Sequence, residues 1–334
     1  MKIVRLTALL LAALMLLCGC RKASNDTTST VPSADDISTA PPVESTVPEQ
    51  NVSKPVEDVS ENNGAIVGDN VCVTTANVNP PRVDLSDYVY DNAHFELKEI
   101  FNRPNEMIIK KYTGNATKLI IPAEIDGKLI RVIDNSVFYG QTKLEAVYIE
   151  DGIEEIGNNA FSKCIALKEL RFSNTLKTIG ICAFNECIKL TNLYIPDSVE
   201  TINGHAFDDC MRLTKVRLPS TLKTLYSCFE GCINLRGEAV IPKTEGEIHA
   251  LYYDCPGITE LTVMEGGTEL YTTFYGMQGL EEVHIPESVL EITNIDKLFK
   301  DSTHLKTIYV VDGSYAAYKL VNSKWNVYLA SEVR

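Results

Sequence analysis

One aromatic residue recurs along this chain at a nearly fixed interval. Phe138, Phe161, Phe184 and Phe207 stand 23 residues apart, and the column continues at Phe229, Tyr252, Phe274 and Phe299 with steps of 22, 23, 22 and 25. Three residues after the anchors come Cys164, Cys187, Cys210, Cys232 and Cys255, replaced elsewhere by Gln141, Met277 and Ser302. Six residues after them come Leu144, Leu167, Leu190, Leu213, Leu235, Ile258, Leu280 and Leu305. An apolar-x-apolar triplet follows, often closed by proline, as in Leu193-Tyr194-Ile195-Pro196, Val216-Arg217-Leu218-Pro219 and Val283-His284-Ile285-Pro286. A second apolar pair, such as Ile153 and Ile156 or Val199 and Ile202, leads to the next anchor. A unit of this length has an apolar face that it cannot bury alone, so the chain must stack its units into a solenoid.

The alternating triplet reads as a short strand with two side chains inward and one outward. Proline at its end stops pairing there. The Ala-Phe-x-x-Cys-x-x-Leu stretch has turn-of-helix spacing on one face. The expected class is therefore an α/β solenoid with a parallel sheet on the concave face and about eight repeats of 22–25 residues, spanning 113–310. Open solenoid ends expose core and strand edge, so both need caps. Residues 93–112 are expected to form a cap of strands, and 311–334 a C-terminal cap. In the latter, Ser314 precedes the helical spacing of Tyr315, Tyr318 and Val321, with Trp325 and Tyr328 packing over the end.

The unit resembles the BspA-like leucine-rich repeat family, related to the Treponema pallidum type. The consensus of that family, an apolar-x-apolar-Pro strand, Val-x-x-Ile and then Ala-Phe-x-x-Cys-x-x-Leu, is cleanest from Leu193 through Val199, Ile202, Ala206 and Phe207 to Cys210. The opening Tyr112-Thr113-Gly114-Asn115-Ala116-Thr117, with Ile121-Pro122 and Ile125-Asp126-Gly127, is similar to the first repeat of the family. The resemblance covers about residues 93–320 and implies secreted or surface proteins that bind host or matrix proteins. The pattern is departed from between Arg236 and Thr273, where one strand gains a residue and Gly266-Gly267 interrupts another repeat.

The N-terminal part does not read as globular. Lys2 and Arg5 precede an apolar run from Leu6 to Leu17, too short to span a bilayer. The run ends in Leu17-Cys18-Gly19-Cys20, which resembles the bacterial lipobox. That resemblance implies a signal peptide over 1–20 and a diacylglycerol anchor on Cys20. Residues 21–90 hold seven of the 14 prolines, no aromatic before Tyr88, and 4 basic against 11 acidic side chains. Such a segment cannot bury enough apolar area to offset the entropy of ordering it, and it is expected to be a disordered linker. The fold is then expected over 91–334.

Signals for chemistry are thin. The net charge of −14 argues against a nucleic-acid partner. None of His94, His205, His249, His284 and His304 shows a metal-ligand spacing, no phosphate loop opens a helix, and no nucleophile motif is present. We expect no enzyme, no cofactor and no metal. Cys228-x-x-x-Cys232 and Cys182-x-x-x-x-Cys187 suggest a redox or metal pair, but Cys187 and Cys232 belong to the repeat column and Cys228 takes the small position of Ala160, Ala183 and Ala206. Buried cysteine packs as a small hydrophobe, so the column is expected to be reduced.

What remains is the concave face. The outward residues of successive strands form a ladder of Ile120, Tyr148, Arg171, Tyr194, Arg217, Val240, Thr262, His284 and Tyr309. The row two residues earlier is Lys118, Ala146, Glu169, Asn192, Lys215, Glu238, Glu260, Glu282 and Thr307. Tyr148, Arg171, Tyr194, Arg217, His284 and Tyr309 are the candidate ligand contacts, because such residues offer large area with a polar handle. The expectation is a monomeric, lipid-anchored binding protein on the extracellular face of a bacterial membrane, with a host or matrix protein as ligand. A cell-surface glycan, or an envelope-structural role without external ligand, is the alternative.

Overall fold

The computed structural model describes residues 70–329, apart from 77–79, 81, 221, 245–246, 249, 267–268, 272 and 322. The expected signal segment, the expected lipidation position Cys20 and residues 21–69 of the expected linker lie outside the described residues.

The chain winds into a parallel-sheet solenoid of about nine turns, each contributing one strand to a front sheet and one to a back sheet. Front strands run from Lys118–Ile121 and Ala146–Ile149 through Lys215–Arg217 and Gly237–Ile241 to Thr307–Val310. Their register follows the repeat: Ile120 faces Tyr148, Tyr148 faces Arg171, Tyr194 faces Arg217, and Thr262, His284 and Tyr309 lie in one row. Back strands such as Glu155–Ile156, Thr178–Ile179 and Thr201–Ile202 come from the second apolar pair of each repeat. The anchor column runs up the interior. Successive rings of Phe138, Phe161, Phe184, Phe207 and Phe229 stack at 4.7–5.6 Å, nearly parallel, and Tyr252 continues the stack at 5.9 Å.

The α/β expectation is corrected. Helix among the described residues is confined to Ile295–Leu298, Tyr315–Leu320 and a 3-10 turn at Asn92–His94. The Ala-Phe-x-x-Cys stretch makes a turn instead, because it places two residues per coil in the left-handed region, two before and two after the anchor. Asn159 and Lys163 have φ of 55° and 62°, and His205 and Asp209 have 61° and 57°. Alternate N–H groups then point along the solenoid axis: Asn159, Phe161 and Lys163 donate to Ile181, Ala183 and Asn185 of the next coil at 2.7–2.8 Å. Backbone groups that a helix would satisfy locally are satisfied between coils. The column thiols complete this arrangement. Cys164, Cys187, Cys210, Cys232 and Cys255 are free and buried, and each donates to the carbonyl of the anchor one coil back at 3.1–3.5 Å. Ser302, standing in the same column, donates to Phe274 O at 2.5 Å.

At the N-terminal end, Phe95–Ile100 and Arg103–Tyr112 form an antiparallel hairpin whose second strand joins the back sheet. At the other end Ser314 caps the Tyr315–Leu320 helix, accepting from Ala317 N. That helix buries Ala316, Ala317 and Leu320, while Tyr318, one of the expected apolar stripe, is 76% exposed. Trp325 packs on Phe299, ring centroids 4.6 Å apart, as expected of a cap. Tyr328 does not: Asn326–Leu329 is a further front strand, pairing with Thr307–Val310 and placing Tyr328 opposite Tyr309.

The largest departure lies in the segment expected to be linker, since its C-terminal end is part of the fold. Val73–Thr74 is a front strand, and Val89–Tyr90 pairs with Lys118–Ile121 ahead of the first coil. The boundary expected at 91 therefore falls inside the fold, since the strands at 73–74 and 89–90 precede it.

Candidate functional site

The front sheet lines up variable side chains in register, and the N-terminal segment divides it. Val73–Thr74 lies between the Lys215–Arg217 and Gly237–Ile241 strands, parallel to both. Val216 N donates to Cys72 O and Leu218 N to Thr74 O on one side; Cys72 N donates to Glu238 O and Glu238 N to Asn70 O on the other, all at 2.8 Å. Cys72 and Val73 are buried in the main core. The flanking strands pair with this insert, and no pairing between them occurs among the described residues. The back sheet parts at the same level, between Thr224–Leu225 and Glu247–Ile248. This is where the sequence pattern gains a residue, around Arg236 and Gly237.

Part of the N-terminal half of the ladder is covered. Tyr88 packs on Ile120 and Ala146, with Val83, Leu85 and Tyr148 around them. Tyr88 Oη donates to Glu169 Oε2 at 3.3 Å, and Lys118 Nζ pairs with Asp87 at 3.1 Å. Burial, and then the Glu169 carboxylate, push the Tyr88 hydroxyl up to about 12. Tyr148 is thus a packing partner of the chain's own residues 83–88. Arg217 is withdrawn more completely, with only 1% of its surface exposed. Its guanidinium donates to Ile195 O at 2.9 Å, Asp197 Oδ2 at 2.7 Å and Ala76 O at 3.3 Å. The pair holds the Asp197 carboxyl below the usual carboxylate range, chiefly through the hydrogen bond from Arg217. Tyr194 lies between two guanidinium groups, Arg171 at 5.7 Å and Arg217 at 5.2 Å from its ring centroid. The Tyr/Arg alternation is therefore a stack within the sheet, closed at one end by the inserted segment.

The C-terminal end of the ladder carries a partly exposed ring row. His284 and Tyr309 stack at 4.5 Å with 16° between ring planes, and Tyr328 extends the row at 6.1 Å from Tyr309. Tyr328 is 45% exposed. The parallel row two residues earlier holds Glu260 opposite Glu282. Glu260 Oε1 lies 3.2 Å from His284 Nε2, an ion pair once the imidazole is protonated. Partial burial, then Glu282, Tyr328 and Glu260, push the Tyr309 hydroxyl up. Such a face offers flat ring area bordered by negative charge. Tyr328 was missed as a ladder member, although Asn326-Val327-Tyr328-Leu329 carries the same alternation as the front strands. Without a Phe anchor before it, the strand lacks the repeat context that marks the others.

One further cluster was passed over. His205 Nδ1 contacts Asp208 Oδ2, Asp208 Oδ1 accepts from Glu230 N at 2.9 Å, and ligand atoms of His205, Asp208 and Glu230 lie within 4.8 Å of one another. Burial pushes the Asp208 carboxyl up to about 6 against the opposing effect of His205. Asp208 stands one residue after Phe207 and Glu230 one after Phe229, so the cluster is a contact between adjacent coils of the turn column.

The chain matches the model of the BspA type leucine rich repeat region in six copies, over residues 131–250 and 247–315. Among solved structures it is similar to the Treponema pallidum leucine-rich repeat protein, with 22% identity, a TM-score of 0.50, and coverage of 70% of this chain and 96% of that one. It is also similar to a leucine-rich repeat protein from Bacteroides ovatus, with 19% identity, a TM-score of 0.42, and coverage of 72% and 76%. No curated protein matches the chain.

Proposed function

The chain belongs to the BspA-type leucine-rich repeat family, and from that premise we propose that it is a binding protein held on the outer face of a bacterial membrane by a lipid on Cys20. In this reading it works by capture rather than catalysis. Its ligand is a protein, and the ligand face is the C-terminal end of the front sheet. The observation that carries this is the in-register ring row His284, Tyr309 and Tyr328 beside Glu260 and Glu282. A rigid sheet presents these side chains with little ordering cost. Aromatic anchors supply area, and the acidic row selects a basic partner segment and speeds its approach. A glycan is the second reading, favoured by the same row of aromatic rings, since aromatic side chains also pack against sugars.

Surface plasmon resonance of the soluble chain against host matrix proteins and cell-wall glycans tests the proposal. For the ligand so found, Tyr309→Ala and His284→Ala should each weaken binding by about thirtyfold, as an anchor contribution of about 2 kcal/mol requires. Glu200→Ala and Lys223→Ala, beside the back sheet, should leave it unchanged. Equal losses in all four folded variants would place the ligand elsewhere. The anchor is tested separately by fractionating cells that express the full chain or its Cys20→Ser variant, where only the former should partition with membrane.

A further inference from the structure

The inserted front strand is out of chain order. Every neighbouring front strand belongs to the coil before or after it, whereas Val73–Thr74 arrives from far upstream and pairs with Val216 and Arg217. The slot it fills is shaped for this segment. Gly237 has φ of 87°, and a Cβ there would lie 2.1 Å from Asn70 O. Lys215 Nζ donates to Val71 O, Arg217 Nε to Ala76 O at 3.3 Å, and Thr75 Oγ1 contacts Met264 Sδ at 3.2 Å. Removing the strand would leave two edges with unpaired backbone groups in the middle of a sheet and an opening over the core. Both are costly, so the slot must be filled.

None of these contacts depends on which molecule supplies the strand. We propose that the slot is a strand-acceptor site whose partner is a second copy of this chain, residues 70–76 of each copy entering the slot of the other. The internal and exchanged forms bury the same side chains and make the same hydrogen bonds. They differ in the tether from residue 76 to Tyr88, which carries Pro80 and Pro81. From the inserted strand to the Val89–Tyr90 strand the path crosses the strands at 215, 192, 169, 146 and 118, six spacings or roughly 29 Å. A dozen residues reach about 40 Å at full extension, so the internal form needs most of that length. A short hinge that has little slack between the two strands it joins is the condition under which exchange costs little. The effective concentration of a strand on such a tether is about millimolar, which sets the protein concentration at which exchange competes. Crowding of anchored copies on a surface would act in the same direction.

The test uses full chains carrying Cys72→Ala, so that this thiol cannot compete. Asn70 Nδ2 lies 3.5 Å from Glu238 Oε1, so Asn70→Cys and Glu238→Cys mark the two sides of the slot. A chain with both substitutions, oxidised at about micromolar concentration, should close the 70–238 disulfide within itself and stay monomeric. Chains carrying one substitution each, mixed at about millimolar concentration and then oxidised, should yield a covalent heterodimer with the same linked peptide. If the doubly substituted chain closes and the mixture gives no 70–238 heterodimer, exchange is overturned. If even the doubly substituted chain fails to close, the strand does not occupy the slot and the proposal falls with it.

Discussion

At the residue scale, periodicity told which side chains point inward but not what would cover those pointing out. The Phe and Cys columns were legible because burial repeats with the unit, and a position seen eight times in register averages out local noise. Arg217 was not legible. Its outward direction is correct, yet the segment that buries it lies about 140 residues upstream in the chain, and nothing in Val216-Arg217-Leu218 signals that contact. His205 and Asp208 were missed for a related reason, since Glu230 joins them only when adjacent coils stack. Asp208 carries a prediction. With its carboxyl raised from 3.8 to about 6, the folded chain binds this proton more tightly than the unfolded chain across that window. Stability contributed here is full below pH of about 4 and is lost as pH rises through about 6. Exposed carboxylates paired with lysine, such as Glu200 and Glu281, are shifted in the opposite direction, so the readout must be a difference. Thermal midpoints of the wild type minus those of Asp208→Asn should fall between pH 4 and 6 by the equivalent of roughly 2 kcal/mol, then level off. A flat difference across that range would show that the carboxyl titrates normally.

At the scale of elements, strands were read well and helices were not. A front strand announces itself by alternation and a closing proline. The turn stretch has helical spacing too, but spacing does not fix backbone sign. Residues such as Asn159, Lys163 and Asp209 accept the left-handed region, and once two per coil do so the N–H groups turn toward the next coil. The inserted strand was hidden for another reason. Val71-Cys72-Val73 is a three-residue apolar patch in a polar stretch, too short to read as a strand by itself. Its partners are strands already formed by the solenoid, so its stability is borrowed from them. It follows that the solenoid also depends on the patch. A fragment covering 91–334 should lose Cys72 and Val73 from the core and the hydrogen bonds on both sides of them. Compared with a fragment covering 64–334, it should be less stable to urea by at least about 3 kcal/mol. Equal midpoints and slopes for the two fragments would mean that residues 64–90 decorate the fold without supporting it.

At the scale of the whole molecule, one solenoid carries two unlike faces on a single sheet. Ile120 and Tyr148 pack against the chain's own residues 83–88 and Arg217 is buried beside Val73–Thr74, whereas Arg171, Tyr194, His284 and Tyr309 are half-buried and Tyr328 is exposed. The sequence located the sheet and its register but read its face as one continuous ladder. The division follows from a long-range contact, and it moves the proposed ligand face from Tyr148 and Arg217 toward the C-terminal end. The division of the front sheet rests on residues 70–76 lying between its two parts. Hydrogen exchange of the full chain, read at single amides, tests that most directly. The amides of Cys72, Val216, Leu218 and Glu238 are each bonded across the insert. They should exchange as slowly as Val147 and Val283, which lie within uninterrupted parts of the front sheet, because they would open only with the sheet itself. Rapid exchange at these four amides, with Val147 and Val283 still protected, would contradict the account, since the two halves of the front sheet would then meet at open edges with no strand between them.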